Sequence, residues 1–174
     1  QSEDIVALTT DQAAALTTGQ LRALTSGQIA ALETADLGAL DTTQIQALTT
    51  AQIIALTTEQ VGSISTTQVQ ALTTAQVRAI ENADITALTT EQITALTTGQ
   101  LAALSTAQIV ALETGDLTPL STDQIKALTT AQVAALETED IPTLTTDQIQ
   151  ALTTAQLRAI NAGHMTALTT AQVQ

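Results

Sequence analysis

The sequence has no cysteine, phenylalanine, tyrosine or tryptophan, and it carries a single histidine and a single methionine. The lack of cysteine removes disulfides, thiolate nucleophiles and thiolate-bound metals together, and leaves the redox compartment open. The lack of aromatic rings leaves Leu, Ile, Val and Ala to do the packing, and removes the anchors that dominate most binding surfaces. A lone His164 has neither a second His or Cys for zinc nor the partners of a nucleophilic triad. No Gly-rich phosphate loop is written, and the carboxylates stand in repeat register instead of around one cleft. These absences predict a protein that is not an enzyme and holds no organic cofactor.

Positive charge is nearly as scarce: 4 Lys and Arg against 17 Asp and Glu give a formal net charge of −13. Such a chain repels phosphate backbones and anionic lipid surfaces, so no nucleic acid partner is expected. No apolar run approaches the ~20 residues of a membrane span, so no membrane insertion is expected either. The opening QSEDIVALTT has neither the basic nor the long apolar region of a signal peptide. The chain therefore reads as a segment or mature fragment of something longer.

What is present is one phrase, repeated. In QALTTAQIIALTTEQV, from Gln46 to Val61, nearly the same words occur twice. Gln or a substitute recurs at every eighth position from 4 to 172, giving 22 octads without a slip. An aliphatic residue follows it (Ile29, Ile45, Val69, Ile93), and Leu or Ile comes three further on (Leu32, Leu48, Leu72, Leu96). Side chains at that spacing face opposite ways on a strand and share a stripe on a helix, so helix is favoured. Thr, Ile and Val also suit strands, and a β-solenoid is the competing fold.

Leu48-Thr49-Thr50-Ala51-Gln52-Ile53 reads as a helix start: Thr49 caps, Gln52 reaches back, and Leu48 clamps onto Ile53. One continuous helix would turn the apolar stripe by about 80° per octad and expose it. Each octad is therefore predicted to be a very short capped helix plus a turn, stable only against its neighbours, and the fold all-α: a solenoid or superhelix. Its glutamines are expected to be buried, satisfying backbone groups between neighbouring octads.

The irregular octads supply a second period. Asp replaces Gln at Asp4, Asp36, Asp84, Asp116 and Asp140, and in the last four Glu33, Glu81, Glu113 and Glu137 replace the capping Thr. With the Gly62 and His164 octads, these units start four, three, three, four, three and three octads apart. That order sets a super-repeat of ten octads within one repeat domain, 1–174, divided as 1–80, 81–160 and a partial 161–174. A corner recurring every three or four octads predicts about 10 octads per 3 superhelical turns, or ~27 residues per turn. Roughly six such turns at helix-packing distances predict a rod on the order of 60 Å, with the irregular octads on one side.

The Glu-x-x-Asp octads are the candidate metal site. Glu33, Asp36, Glu81, Asp84, Glu113, Asp116, Glu137 and Asp140, stacked on one edge, would offer the several oxygen ligands that calcium takes. Against this stands the plainer role of Asp as a turn former with Glu in solvent. Neither an Asp-x-Asp-x-Asp-Gly loop nor a Gly-Gly-x-Gly-x-Asp tract occurs. The paired threonines form a hydroxyl array that raises glycan or ice binding, although capping already explains the first of each pair. His164 reads as a drifted corner residue.

Tandem LTTxQIxAL octads look like the repeat regions of large bacterial secreted or cell-surface proteins of adhesin type. The resemblance covers the whole chain and implies an extracellular or cell-surface spacer or scaffold segment, with neighbouring domains or a cell-surface or glycan ligand as partners. It carries over no site residue. Leu72 to Ile80, LTTAQVRAI, is also similar to the first helix of TAL-effector repeats, but their second helix and base-reading loop are missing. The LTxxQ signature of periplasmic chaperones sits in long varied helices, a setting foreign to this register.

Overall fold

A Thr hydroxyl followed three positions later by Gln gives a helix a start but not a length, and the computed structural model, which describes Ile5 and residues 7–173, shows that balance throughout. In Thr74–Ala79, Gln76 N–H donates to Thr73 Oγ1 at 3.2 Å, while Thr73 N–H donates to Gln76 Oε1 at 2.8 Å. The same reciprocal box opens Thr18–Ala23, Thr50–Ile54, Thr98–Ala103 and Thr146–Ala151. Asp4, the first substituted residue, lies outside the described residues.

The apolar stripe stays on axis because each helix is stopped and re-aimed. Leu48 (φ −59°, ψ 136°) and Thr49 (φ −75°, ψ 158°) are extended between two helices, and this pair of residues cancels the rotation a continuous helix would accumulate. None of the described residues has a positive φ, so the corner needs no glycine and Leu-Thr can make it. The described residues are helical and contain no strand, which decides the fold for the all-α solenoid.

Two compact units make up the chain, 1–95 and 96–174. In the first, helices three octads apart pack on one another in three columns: Thr10–Ala14, Thr34–Gly38, Thr58–Ser63 and Asn82–Ile85; Thr18–Ala23, Thr42–Ala47, Thr66–Ala71 and Thr90–Ala95; Ser26–Ala30, Thr50–Ile54 and Thr74–Ala79. The second repeats the plan: Thr98–Ala103, Thr122–Ala127 and Thr146–Ala151; Thr106–Val110, Thr130–Ala135 and Thr154–Ala159; Thr114–Leu117, the 3₁₀ turn Ile141–Thr143 and Ala162–Ala167. Within each unit the irregular octads among the described residues share one column, as their three-octad spacing predicts. Two of these octads have short helices for local reasons: Thr114–Leu117 stops ahead of Pro119, and Pro142 restricts its octad to a 3₁₀ turn.

The core is aliphatic throughout. Leu21, Ile29, Ile45, Ile93 and Leu101 are at most 2% exposed. The void among Leu37, Ile45, Ile53, Val61 and their neighbours is about 10 Å³, no more than one water needs, and its lining offers a water no partner.

Single substitutions test this packing locally. Thr73→Ala removes a cap and should cost ~1 kcal/mol, whereas Thr74→Ala, at the exposed position beside it, should stay within about 0.5 kcal/mol of wild type in urea melts. At Gly62 a Cβ would sit 3.0 Å from the carbonyl oxygen of Ala87, a backbone atom that cannot swing aside. Gly62→Ala should therefore cost roughly 1–3 kcal/mol. Gly27→Ala, with nothing within 4 Å, should gain about 0.4–1 kcal/mol in the same assay.

Candidate functional site

The position that begins each reading of the repeat, Gln or its substitute, is also where the buried polar chemistry concentrates. Its carboxamide has two ends with different tasks. Oε1 accepts the N–H of the capping residue, and Nε2 crosses to the preceding coil. Gln52 Nε2 donates to the carbonyls of Leu21 and Leu24 at 2.7 and 2.8 Å; Gln76 does the same to Ile45 and Leu48, both at 2.8 Å. In the second unit Gln132 reaches Leu101 and Leu104, each at 2.8 Å.

These carbonyls lie 31 and 28 residues back, one octad beyond the helix against which the glutamine's own helix packs. One turn of coil is thus longer than three octads and shorter than four, a range that contains the ~27 residues expected from the spacing of irregular octads. The sequence places the amide ladder between neighbouring octads; its reach to the fourth octad back is what the structure adds. Gln44, Gln52, Gln60, Gln68 and Gln76 are at most 5% exposed as a result.

Asp at this position keeps one end of the job. Glu137 N–H donates to Asp140 Oδ2 at 2.9 Å and Glu113 N–H to Asp116 Oδ2 at 3.2 Å, copying the Gln back-reach. A carboxylate has no N–H to offer the preceding coil. Asp84 instead accepts from the Thr58 hydroxyl at 2.7 Å, and Asp36 leaves Oδ2 without a partner. Asp36, Asp84, Asp116 and Asp140 are buried, at 2–6% exposure, while Glu33, Glu81, Glu113 and Glu137 are exposed.

The two halves of each Glu-x-x-Asp pair therefore point to different environments. Among the described residues no three His, Asp or Glu side chains form a group suited to a metal ion. Glu33 borders an open groove of about 390 Å³ with Thr34, Thr57 and Glu59. Because the aspartates are buried inside the coil while their paired glutamates face solvent, thermal melts in millimolar calcium and in chelator should coincide; a rise of many degrees with calcium would establish a cation site.

His164 occupies the same position and is 1% exposed. Its Nε2 lies 2.9 Å from the Leu136 carbonyl, 28 residues back, the distance in sequence that glutamines span. Donation from Nε2 to that carbonyl keeps the ladder bond; Nδ1 has no partner, and Asn161 Oδ1 caps the helix by accepting His164 N–H at 3.0 Å. The histidine is thus a corner residue that retains what its aspartate counterparts lose. Its sequence signal is position alone: an imidazole where every regular octad has an amide.

The threonine array is split as well. Thr49 takes part in the cap and Thr50 lies beside it, both exposed. No described helix is long and apolar enough to cross a membrane.

Short capped helices, an aliphatic core and a ladder of buried amides define a helical repeat protein of the solenoid class. The ALTTAQ repeat matches residues 1–34, 29–66, 77–114, 109–146 and 141–174, and the chain belongs to the ALTTAQ repeat family. Each match spans between four and five octads, enough to contain one ladder bond. No curated protein is similar enough to this chain to serve as a relative.

Proposed function

We propose that the chain is a non-catalytic structural repeat, a spacer or scaffold segment of a larger bacterial surface or secreted protein. One observation carries this reading: the buried amides and three of the four buried aspartates are bonded to backbone or to neighbouring hydroxyls, so the polar chemistry of the interior goes into holding octads in register. A chain extended by a repeated octad gains length without acquiring a new site, which is what a spacer requires.

The test is removal of residues 81–160 from the full-length protein in its own host, which keeps the octad register across the seam. Antibody against the repeat should still label intact cells, and the parent's recognition of its target should survive. Labelling only after cell lysis would sink the surface assignment. Loss of target recognition with display intact would move the function into the repeats themselves.

A further inference from the structure

Two corners inside the units lack the bonds that join coil to coil elsewhere. In a regular octad the glutamine amide donates to carbonyls 31 and 28 residues back, as Gln76 does to Ile45 and Leu48 and Gln132 to Leu101 and Leu104. The same offsets lead from Asp84 to Ile53 and Leu56, and from Asp140 to Ile109 and Leu112. A carboxylate has no N–H to give them, and the aspartate side chain is one methylene shorter than that of glutamine. The carbonyls of Ile53 and Ile109 keep local bonds from Leu56 and Leu112 N–H, both at 3.2 Å, but those of Leu56 and Leu112 accept no hydrogen bond among the described residues.

The two corners are not equal. Asp84 still holds the preceding coil through Thr58, whose hydroxyl donates to Oδ1 at 2.7 Å. Asp140 turns inward on its own octad: Oδ2 accepts Glu137 N–H at 2.9 Å, and its backbone carbonyl accepts the Thr143 hydroxyl at 2.7 Å. That octad is reduced to the turn Ile141–Thr143, whereas the octads on either side form six-residue helices, Thr130–Ala135 and Thr146–Ala151. Among the described residues, one exposed hydrogen bond joins it to the preceding coil, from the Thr118 hydroxyl to the Thr143 carbonyl at 3.3 Å. Ile141 and Leu144 stay packed, at 1% and 3% exposure, so the deficit lies in hydrogen bonds and not in the core.

We infer that these corners are where the coil opens. By local unfolding, the octad of Asp140 parts from the preceding coil while the glutamine columns on both sides remain bonded, and the octad of Asp84 does so less readily. Local opening follows the lines that few bonds cross, and in both units that deficit falls in the column of irregular octads. Opening releases length on one side of a unit and keeps the core of the other columns. The device belongs to the coil itself and holds whether or not the chain is a surface spacer.

Hydrogen exchange of the 174-residue chain at neutral pH, read by mass spectrometry of its peptides, tests this. Residues 137–144 should exchange faster than 129–136 and 145–152, and residues 81–88 faster than 73–80. Asp140→Gln supplies both the reach and the amide, and should slow exchange in 137–144 at least about fivefold, the effect of two modest hydrogen bonds. Asp140→Asn removes the same charge but stays too short to span the coils, and should exchange near the wild-type rate. Asp84→Gln and Asp84→Asn repeat the comparison at a corner without proline, with a smaller difference because Gln gives up the Thr58 bond. Circular dichroism establishes that each variant folds. A Gln variant that exchanges no more slowly than its Asn counterpart at either corner overturns the proposal, as does wild-type exchange in 137–144 no faster than in 129–136.

Discussion

Gln60→Met should lower the unfolding free energy by about 2–4 kcal/mol, and Gln60→Glu should lower it further at pH 7. Gln60 is 2% exposed; its Nε2 donates to the carbonyls of Ile29 and Leu32 at 2.9 and 2.8 Å, and its Oε1 accepts Thr57 N–H at 2.9 Å. Methionine fills the same volume and offers none of these bonds, which leaves buried backbone groups unpaired at ~1–3 kcal/mol each. Glutamate restores the bond to Thr57 but turns a carboxylate oxygen toward two carbonyl oxygens.

The two variants separate by pH. Burial against carbonyls favours the protonated acid, so the folded-state pKa of the introduced glutamate lies above its unfolded value of ~4.3, and the folded state binds more protons. Stability of the variant should therefore fall as pH rises through the folded pKa and recover in acid, where the carboxylic O–H can donate to one carbonyl. The methionine variant should show no such recovery relative to wild type. Urea melts at pH 7 and near pH 4 decide it, and a glutamate variant as stable as wild type at pH 7 would refute the ladder as a stabilising element.

Leu101→Ala should cost roughly 2–5 kcal/mol. Leu101 is 0% exposed, and with no aromatic side chain in the sequence, nothing large stands near to close over the cavity it would leave. Its helix sits in a column against Thr122–Ala127, so loss of the side chain loosens the contact between coils as well as the helix itself. Ile54→Ala is the control: Ile54 is 49% exposed, and its truncation should move the urea midpoint by the equivalent of about 0.5 kcal/mol or less. Equal slopes in the two transitions would show that the denatured state is unchanged.

The local structure was legible because it is written in short-range chemistry. Thr73 and Gln76 lie within one helical turn and form their box with no help from elsewhere, and Val77 and Ile80 mark the apolar stripe by spacing alone. The shared column of irregular octads within each unit was legible too, since the irregular octads described there stand three octads apart, the spacing at which helices pack. The candidate calcium residues were chosen by the same stacking, but stacking does not fix orientation. Asp116 and Glu113 belong to one octad, yet the aspartate is 6% exposed and the glutamate is in solvent, because the third helical position faces the preceding coil and the cap position does not.

By itself the sequence determined the helix, its cap, its stop and its apolar side, each a contact within about four residues governed by propensity and hydrogen-bond reach. It also pointed to a non-integral coil, because the irregular octads recur after three and after four octads and their mean spacing falls between the two. Only the tertiary structure decided where the glutamine's second hand goes. The carbonyls of Ile29 and Leu32, 31 and 28 residues before Gln60, are no different in sequence from those of any other octad. They are chosen because packing three octads apart leaves the start of each helix overhanging the fourth, and a buried N–H bonds to the acceptor it meets there.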